Sequence, residues 1–211
     1  MEIPLFPLNT VLFPGGVLPL RIFEARYMDM VRDCMQDEAP FGVCLIAKGA
    51  EVGAAAHTES VGCLASIRAW DMKQLGLLHL RTVGTQRFRI QRSHARPNGL
   101  MLGEVDLIDP DEDLPIEPEH QPCADLLARI IDDLGAQIAE RRRTSGDEGD
   151  VLGGMPFDRP YRMDSSVWVG NRLCEVLPVP LKAKQKLMEL DDAHARLEIV
   201  AQYLRQHAVL K

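Results

Sequence analysis

The residues of this chain that could carry covalent or metal chemistry are its serines, histidines and cysteines and a few neighbouring carboxylates. A serine nucleophile needs an activating base within hydrogen-bond reach, and the hydrolase version needs a sharp turn to expose it. Ser60, Ser66, Ser93, Ser145, Ser165 and Ser166 include no Gly-x-Ser-x-Gly elbow, and the sequence sets no activating group beside any of them. His57, His79, His94, His120, His194 and His207 never fall three to five positions apart, so a histidine metal site would have to be assembled wholly by the fold. Solvent-exposed or hydrogen-bonded histidines are the expectation. Cys34, Cys44, Cys63, Cys123 and Cys174 lie at least ten positions apart and read as buried free thiols. The neighbours Asp132-Asp133 and Asp191-Asp192 would point about 100 degrees apart on a helix, which suits a cap or a solvated face better than an acid/base couple. Gly49 to Ala54 is glycine-containing but lacks the Gly-Lys-Ser/Thr ending of a phosphate loop, and reads as an exposed turn. The expectation is therefore no catalytic, metal-binding or cofactor-binding residue.

The elements around these residues fall into two compositional halves. Residues 1–110 carry short apolar stretches separated by turn residues: Ile3 to Phe6, Val17 to Ile22, Phe41 to Ile46, Val61 to Trp70, Leu77 to Val83, Phe88 to Gln91 and Leu100 to Leu107. In Val61 to Trp70, Cys63, Ala65, Ile67 and Ala69 share one face and Ser66 and Arg68 the other, as a half-buried strand requires. One helix is predicted among the strands, from about Glu24 to Gln36, on the stripe Tyr27, Met28, Val31, Cys34 and Met35. Residues 111–122 are acidic and proline-rich and read as a connector.

Residues 123–211 switch to helical period. Cys123, Leu126, Leu127, Ile130, Ile131, Leu134 and Ile138 form one long stripe, with Pro122 in the first turn and Arg141-Arg142-Arg143 near the far end, where cations suit the helix dipole. Thr144 to Pro160 reads as a loop. Asp164 or Ser165 caps the next helix, which stops before Pro178; Pro180 opens another, and Asp191 caps the last, whose stripe is Leu197, Val200, Ala201 and Leu204.

Bulk composition narrows the function classes. With 46% hydrophobic and 26% charged residues, the 211-residue chain has the balance of a globular protein. No apolar run approaches the ~18 residues a spanning helix needs, and Met1 to Leu5 has no basic region before an apolar stretch, so a cytoplasmic, non-membrane protein is expected. A net charge of −7 disfavours nucleic acid. Arg87, Arg89, Arg92 and Arg96 would revive it only by sharing a face.

The run from Ile3 to Tyr27, IPLFPLNTVLFPGGVLPLRIFEARY, resembles the start of the amino-terminal, substrate-binding domain of the Lon family of ATP-dependent proteases. Phe41-Gly42-Val43, Val61 to Ile67, Gly84 to Ile90, Leu177 to Asp191 and Ala195-Arg196-Leu197 are similar to later parts of that domain, in order. The resemblance implies an α+β fold: a mostly antiparallel, strand-rich, PUA-like pseudo-barrel followed by a small helical bundle. It also implies a non-catalytic module that binds unfolded or partner polypeptides, acting in or regulating ATP-dependent proteolysis. The phosphate loop and the serine–lysine pair of the full-length proteases are both missing here.

Within these motifs most residues have a structural reading. Pro7, Pro14 and Pro19 would fix the backbone between strands, Gly15 and Gly16 would permit positive φ, and Gly62 and Gly84 would let backbones approach closely. Arg21, Glu24, Arg26 and Tyr27 would form a charged cluster at a strand-to-helix junction, and Arg87 beside Phe88 a paired or snorkelling arginine. Phe13, Met72 and Leu75, at predicted turns, are the candidates for lining a polypeptide-binding surface. The alternative function is a small-molecule or RNA sensor built on the PUA-like barrel.

Overall fold

The computed structural model describes residues 1–51, 56–145 and 154–210. The chain divides into two units, Met1–Pro110 and Asp111–Lys211. In the first, the alternating apolar runs become β1 (Glu2–Leu8), β2 (Val17–Ile22), β3 (Phe41–Lys48), β4 (His57–Gln74), β5 (Leu77–Ala95) and β6 (Met101–Leu107), with α1 (Ala25–Gln36) between β2 and β3. The strand order is β2-β5-β4-β3-β1-β6, and β6 pairs also with β5, which closes the sheet. β1 and β3 run parallel; β1–β6, β2–β5, β3–β4, β4–β5 and β5–β6 are antiparallel.

Burial on both faces explains the nearly unbroken apolar run of β1. Ile3 and Leu5 pack with Cys44, Leu64, Phe88 and Val105. Phe6 and Leu8 join Tyr27, Met30, Val31 and Phe41 in a second cluster that covers α1. One expected interruption turns out to be continuous strand. Leu77–Ala95 is one element, and Gly84 serves as a contact point within it. There Phe13–Gly16 forms a turn with Gly16 N–H donating to Phe13 O at 2.9 Å, and Gly15 N–H donates to Gly84 O at 2.7 Å. Pro14 and Gly15 occupy the central positions, and φ at Gly15 is 78°, as a type II turn demands; Gly16 needs no positive φ. A Cβ on Gly84 would sit 2.3 Å from Phe13 O, so the close approach requires glycine. Pro7 and Pro19 lie inside β1 and β2 rather than between strands. Pro7 is past the Glu2–Leu5 segment that pairs with β6, and β2 ends the strand order, so neither needs a second ladder partner.

The second unit contains α2 (Gln121–Ser145), α3 (Ser166–Val176), α4 (Leu181–Glu189) and α5 (Ala193–Gln206), preceded by a 3₁₀ turn, Pro118–His120. Cys123, Leu127 and Ile131 are the buried centre of the α2 stripe. Ser165 caps α3 by accepting from Trp168 N–H at 2.9 Å. α5 is capped one residue later than expected: Asp192, not Asp191, accepts from Ala195 N–H. Segment 111–122 is part of this unit rather than a loose connector. Ser166 N–H donates to Leu114 O and Ile116 N–H to Asp164 O, both at 3.0 Å, and Asp111 pairs with Arg196. The predicted loop begins later than Thr144, because α2 continues through Ser145; residues 146–153, and 52–54 of the Gly49 to Ala54 turn, lie outside the described residues. Beyond them Phe157 is buried, its ring 6.3 Å from that of Trp168. Among the described residues no helix is long and apolar enough to cross a membrane.

Candidate functional site

The Arg21-to-Tyr27 junction is spent on structure. Arg26 is buried beneath the start of α1 and pairs with Glu24 at 2.8 Å, donates to Gly99 O at 3.0 Å and lies 4.7 Å over the Tyr27 ring. Burial raises the Tyr27 phenol above its ordinary pKa, against the opposing pull of Arg26. Arg21 faces solvent on β2 and does not join the cluster. Phe88 is fully buried; a Cβ on either Gly42 or Gly62 would come within 2.6 Å of its ring, so these glycines make its place. Arg87 is 3% exposed whereas Arg89, Arg92 and Arg96 face solvent, so the four do not form one exposed basic face.

Groups suited to covalent chemistry are similarly committed. Ser165 Oγ donates to Asp113 at 2.6 Å while capping α3. Lys184, whose amine burial holds below the ordinary lysine value, donates to the Glu175 carbonyl at 2.6 Å. All five cysteines are buried thiols outside any disulfide. Burial pushes the Cys34 and Cys123 thiols up to about 11 and Cys174 to about 12, away from the thiolate needed for nucleophilic use.

Apolar surface gathers instead at the β4–β5 hairpin. Of the candidates, Leu75 is 94% exposed at the tip and Met72 is 36% exposed, but Phe13 is 0% exposed and cannot line a surface. The turn that carries Phe13 docks on Gly84 and turns that ring inward. Sequence reasoning missed Trp70, 55% exposed on β4. Its parity with Ser66 and Arg68, which places it on the solvent side, was the available signal.

Between the end of α1 and this hairpin lies a half-open groove of about 450 Å³, lined by Cys34, Met35, Glu38 and Ala39 on one side and Ser66, Ile67, Arg68 and Trp70 on the other. The α1 side is a Schellman turn: Glu38 has φ 51° and Ala39 N–H donates to Cys34 O at 2.9 Å. A second groove of about 430 Å³ includes His57, Glu59, Ser60, Ser93 and His94 beside Ile90 and Met101. Among the described residues, one group has donors placed to hold a metal ion: Glu117, Glu119, His120 and His194 in the second unit.

Comparison with known proteins gives these features a context. Residues 2–206 match the family described as the ATP-dependent protease La (LON) substrate-binding domain. A crystal structure of a Lon N-terminal domain protein from Xanthomonas campestris is 36% identical, covers 96% of this chain and 98% of its own, and superposes with a TM-score of 0.74. The N-terminal domain of a Mycobacterium avium complex Lon protease shares the fold at 14% identity and a TM-score of 0.58, covering 98% of this chain and 100% of its own. A Lon protease of Anaeromyxobacter dehalogenans is 24% identical over 99% of this chain, and protein cereblon of Gallus gallus 28% identical over 54%. The chain spans only 24% and 25% of the lengths of these two relatives.

Proposed function

Because the chain belongs to the LON substrate-binding domain family, we propose that it is a non-catalytic module that holds unfolded polypeptide at the β4–β5 hairpin and so regulates ATP-dependent proteolysis. The observation that carries this reading is the exposure of Trp70, Met72 and Leu75 on one hairpin beside the groove. An aromatic ring, a thioether and an aliphatic chain can accept many apolar partners, because methionine repacks easily and a tryptophan keeps a polar tip toward water. Glu38 and Arg68 on opposite sides of the groove offer both signs of charge to a polar flank.

Magnitudes favour weak, broad recognition. Fully burying one such side chain contributes about 1.5–3 kcal/mol. Ordering a flexible client and losing its free motion offset much of that sum. Binding no tighter than micromolar follows, suited to a module that must release what it holds. The test is retention of denatured casein on immobilised protein, without nucleotide, against a folded control protein. Retention of both alike, or of neither, rejects the reading.

A further inference from the structure

The second unit contains a cluster with a different chemistry, independent of polypeptide binding. Glu117 and the 3₁₀ residues Glu119 and His120 meet His194 from the first turn of α5, and one ligand atom from each lies within 4.8 Å of all the others. His194 Nε2 is 3.8 Å from Glu117 Oε2, and the two imidazole rings are 5.2 Å apart edge to face. Two imidazoles and two carboxylates resemble a zinc donor set in number and type.

Exposed carboxylates alone would mean little, but His120 is different. Its ring is 0% exposed. Its Nε2 lies 2.6 Å from Glu198 Oε2, and a carboxylate there fixes the tautomer with the proton on Nε2. Nδ1 then presents a bare lone pair, and this buried atom has no hydrogen-bond partner. Leaving a buried acceptor unmatched costs free energy. A metal ion removes that cost, and the carboxylate–histidine–metal relay is the usual way a ligating imidazole is oriented. The other three side chains are partly or fully exposed, which leaves an entry path and room to close the donors to bonding distance.

We propose that Glu117, Glu119, His120 and His194 bind one divalent transition-metal ion of the zinc type, with Glu198 as the positioning residue for His120. Nitrogen donors disfavour magnesium and calcium, which prefer oxygen alone. Such an ion would staple the 3₁₀ turn to the start of α5, a link that spans 74 residues of chain between His120 and His194.

The experiment is titration of the metal-stripped full chain with Zn²⁺ by calorimetry and thermal unfolding, with Co²⁺ as the spectroscopic probe. Expected are one bound equivalent, the visible absorption of four-coordinate cobalt, and a Tm rise of roughly 5–10 °C at a hundredfold excess over Kd. His120→Ala removes a buried ring and so tests folding together with binding; the deciding variants are therefore the partly exposed His194→Ala and the exposed Glu119→Gln. Each should weaken binding at least tenfold while leaving the metal-free Tm within a few degrees. Glu198→Gln should weaken it roughly 10–100-fold. Absence of stoichiometric binding, or binding indifferent to these variants, overturns the proposal.

Discussion

Arg196 is 1% exposed yet uses its whole guanidinium, which makes it the sharpest test of how the helical unit is held. Its Nε donates to Leu187 O at 2.8 Å and its Nη2 to Leu190 O at 2.6 Å. Nη1 donates to Asp111 Oδ2 at 2.6 Å and to Asn171 Oδ1 at 3.0 Å. One side chain thus ties the end of α4, the middle of α3 and the segment before the 3₁₀ turn to α5. Arg196→Met keeps the length and apolar stem but removes the cation facing Asp111, whose side chain is 4% exposed. Breaking a buried pair by removing one partner costs about 3–5 kcal/mol, a large share of the 5–15 kcal/mol that roughly bounds domain stability. With a urea m-value of about 1.5 kcal/mol/M, the midpoint should fall by roughly 2–3 M. The assay is urea unfolding followed by Trp168 fluorescence in a Trp70→Phe background, since the chain has two tryptophans and Trp168 belongs to this unit. Adding Asp111→Asn should cost less in Arg196→Met than in the parent, by about 0.5–3 kcal/mol, because the two residues are coupled. A midpoint within 0.5 M of the parent, or strict additivity, would refute the reasoning.

Gly84→Ala should lower Tm sharply or abolish soluble expression, because its Cβ would lie 2.3 Å from a backbone oxygen. Gly135→Ala, on α2 with nothing within 4 Å, should instead stabilise by about 0.5–1 kcal/mol through helix propensity; opposite signs in a paired thermal melt are the check. The thiols supply a pH dependence. Burial raises Cys34 and Cys123 to about 11 and Cys174 to about 12, above the roughly 8.5 of a free thiol. Their protonated forms are thus favoured by folding, and that contribution is complete below about pH 8.5 and lost as pH rises toward 11–12. Unfolding midpoints should decline over that alkaline window, and a thiol reagent at pH 8 should label native protein slowly and denatured protein at once. Rapid native labelling of these thiols would contradict their burial.

Period and punctuation in the sequence located most elements. Val17 to Ile22, α1, the long α2 stripe and the Ser165 and Pro180 helix starts were legible because local rules govern them. At Gly84 the close approach was legible but the continuity of the strand was not: the apolar run ends at Val83, and only the docking of Phe13 shows that the strand runs on through the glycine. Phe13 was misplaced for the same reason, since a residue before Pro-Gly-Gly looks exposed until the turn finds its docking point. Arg172 and Arg196 are among the largest fully buried side chains, a placement that composition rules assign to apolar residues. Of the candidate surface, Met72 and Leu75 were legible as apolar residues at a hairpin turn. Trp70 was obscured within an otherwise apolar strand. His120 and His194 lie 74 positions apart, so no spacing rule could join them.

Denatured-casein affinity of the parent chain and of a Trp70→Ala/Met72→Ala/Leu75→Ala variant, measured side by side by fluorescence anisotropy without nucleotide, tests the hairpin assignment most directly. Expected are binding by the parent no tighter than micromolar, at least a tenfold loss in the variant with unchanged circular dichroism, and casein recovered intact. Equal affinity in the two proteins, or casein cut by the parent, would contradict it.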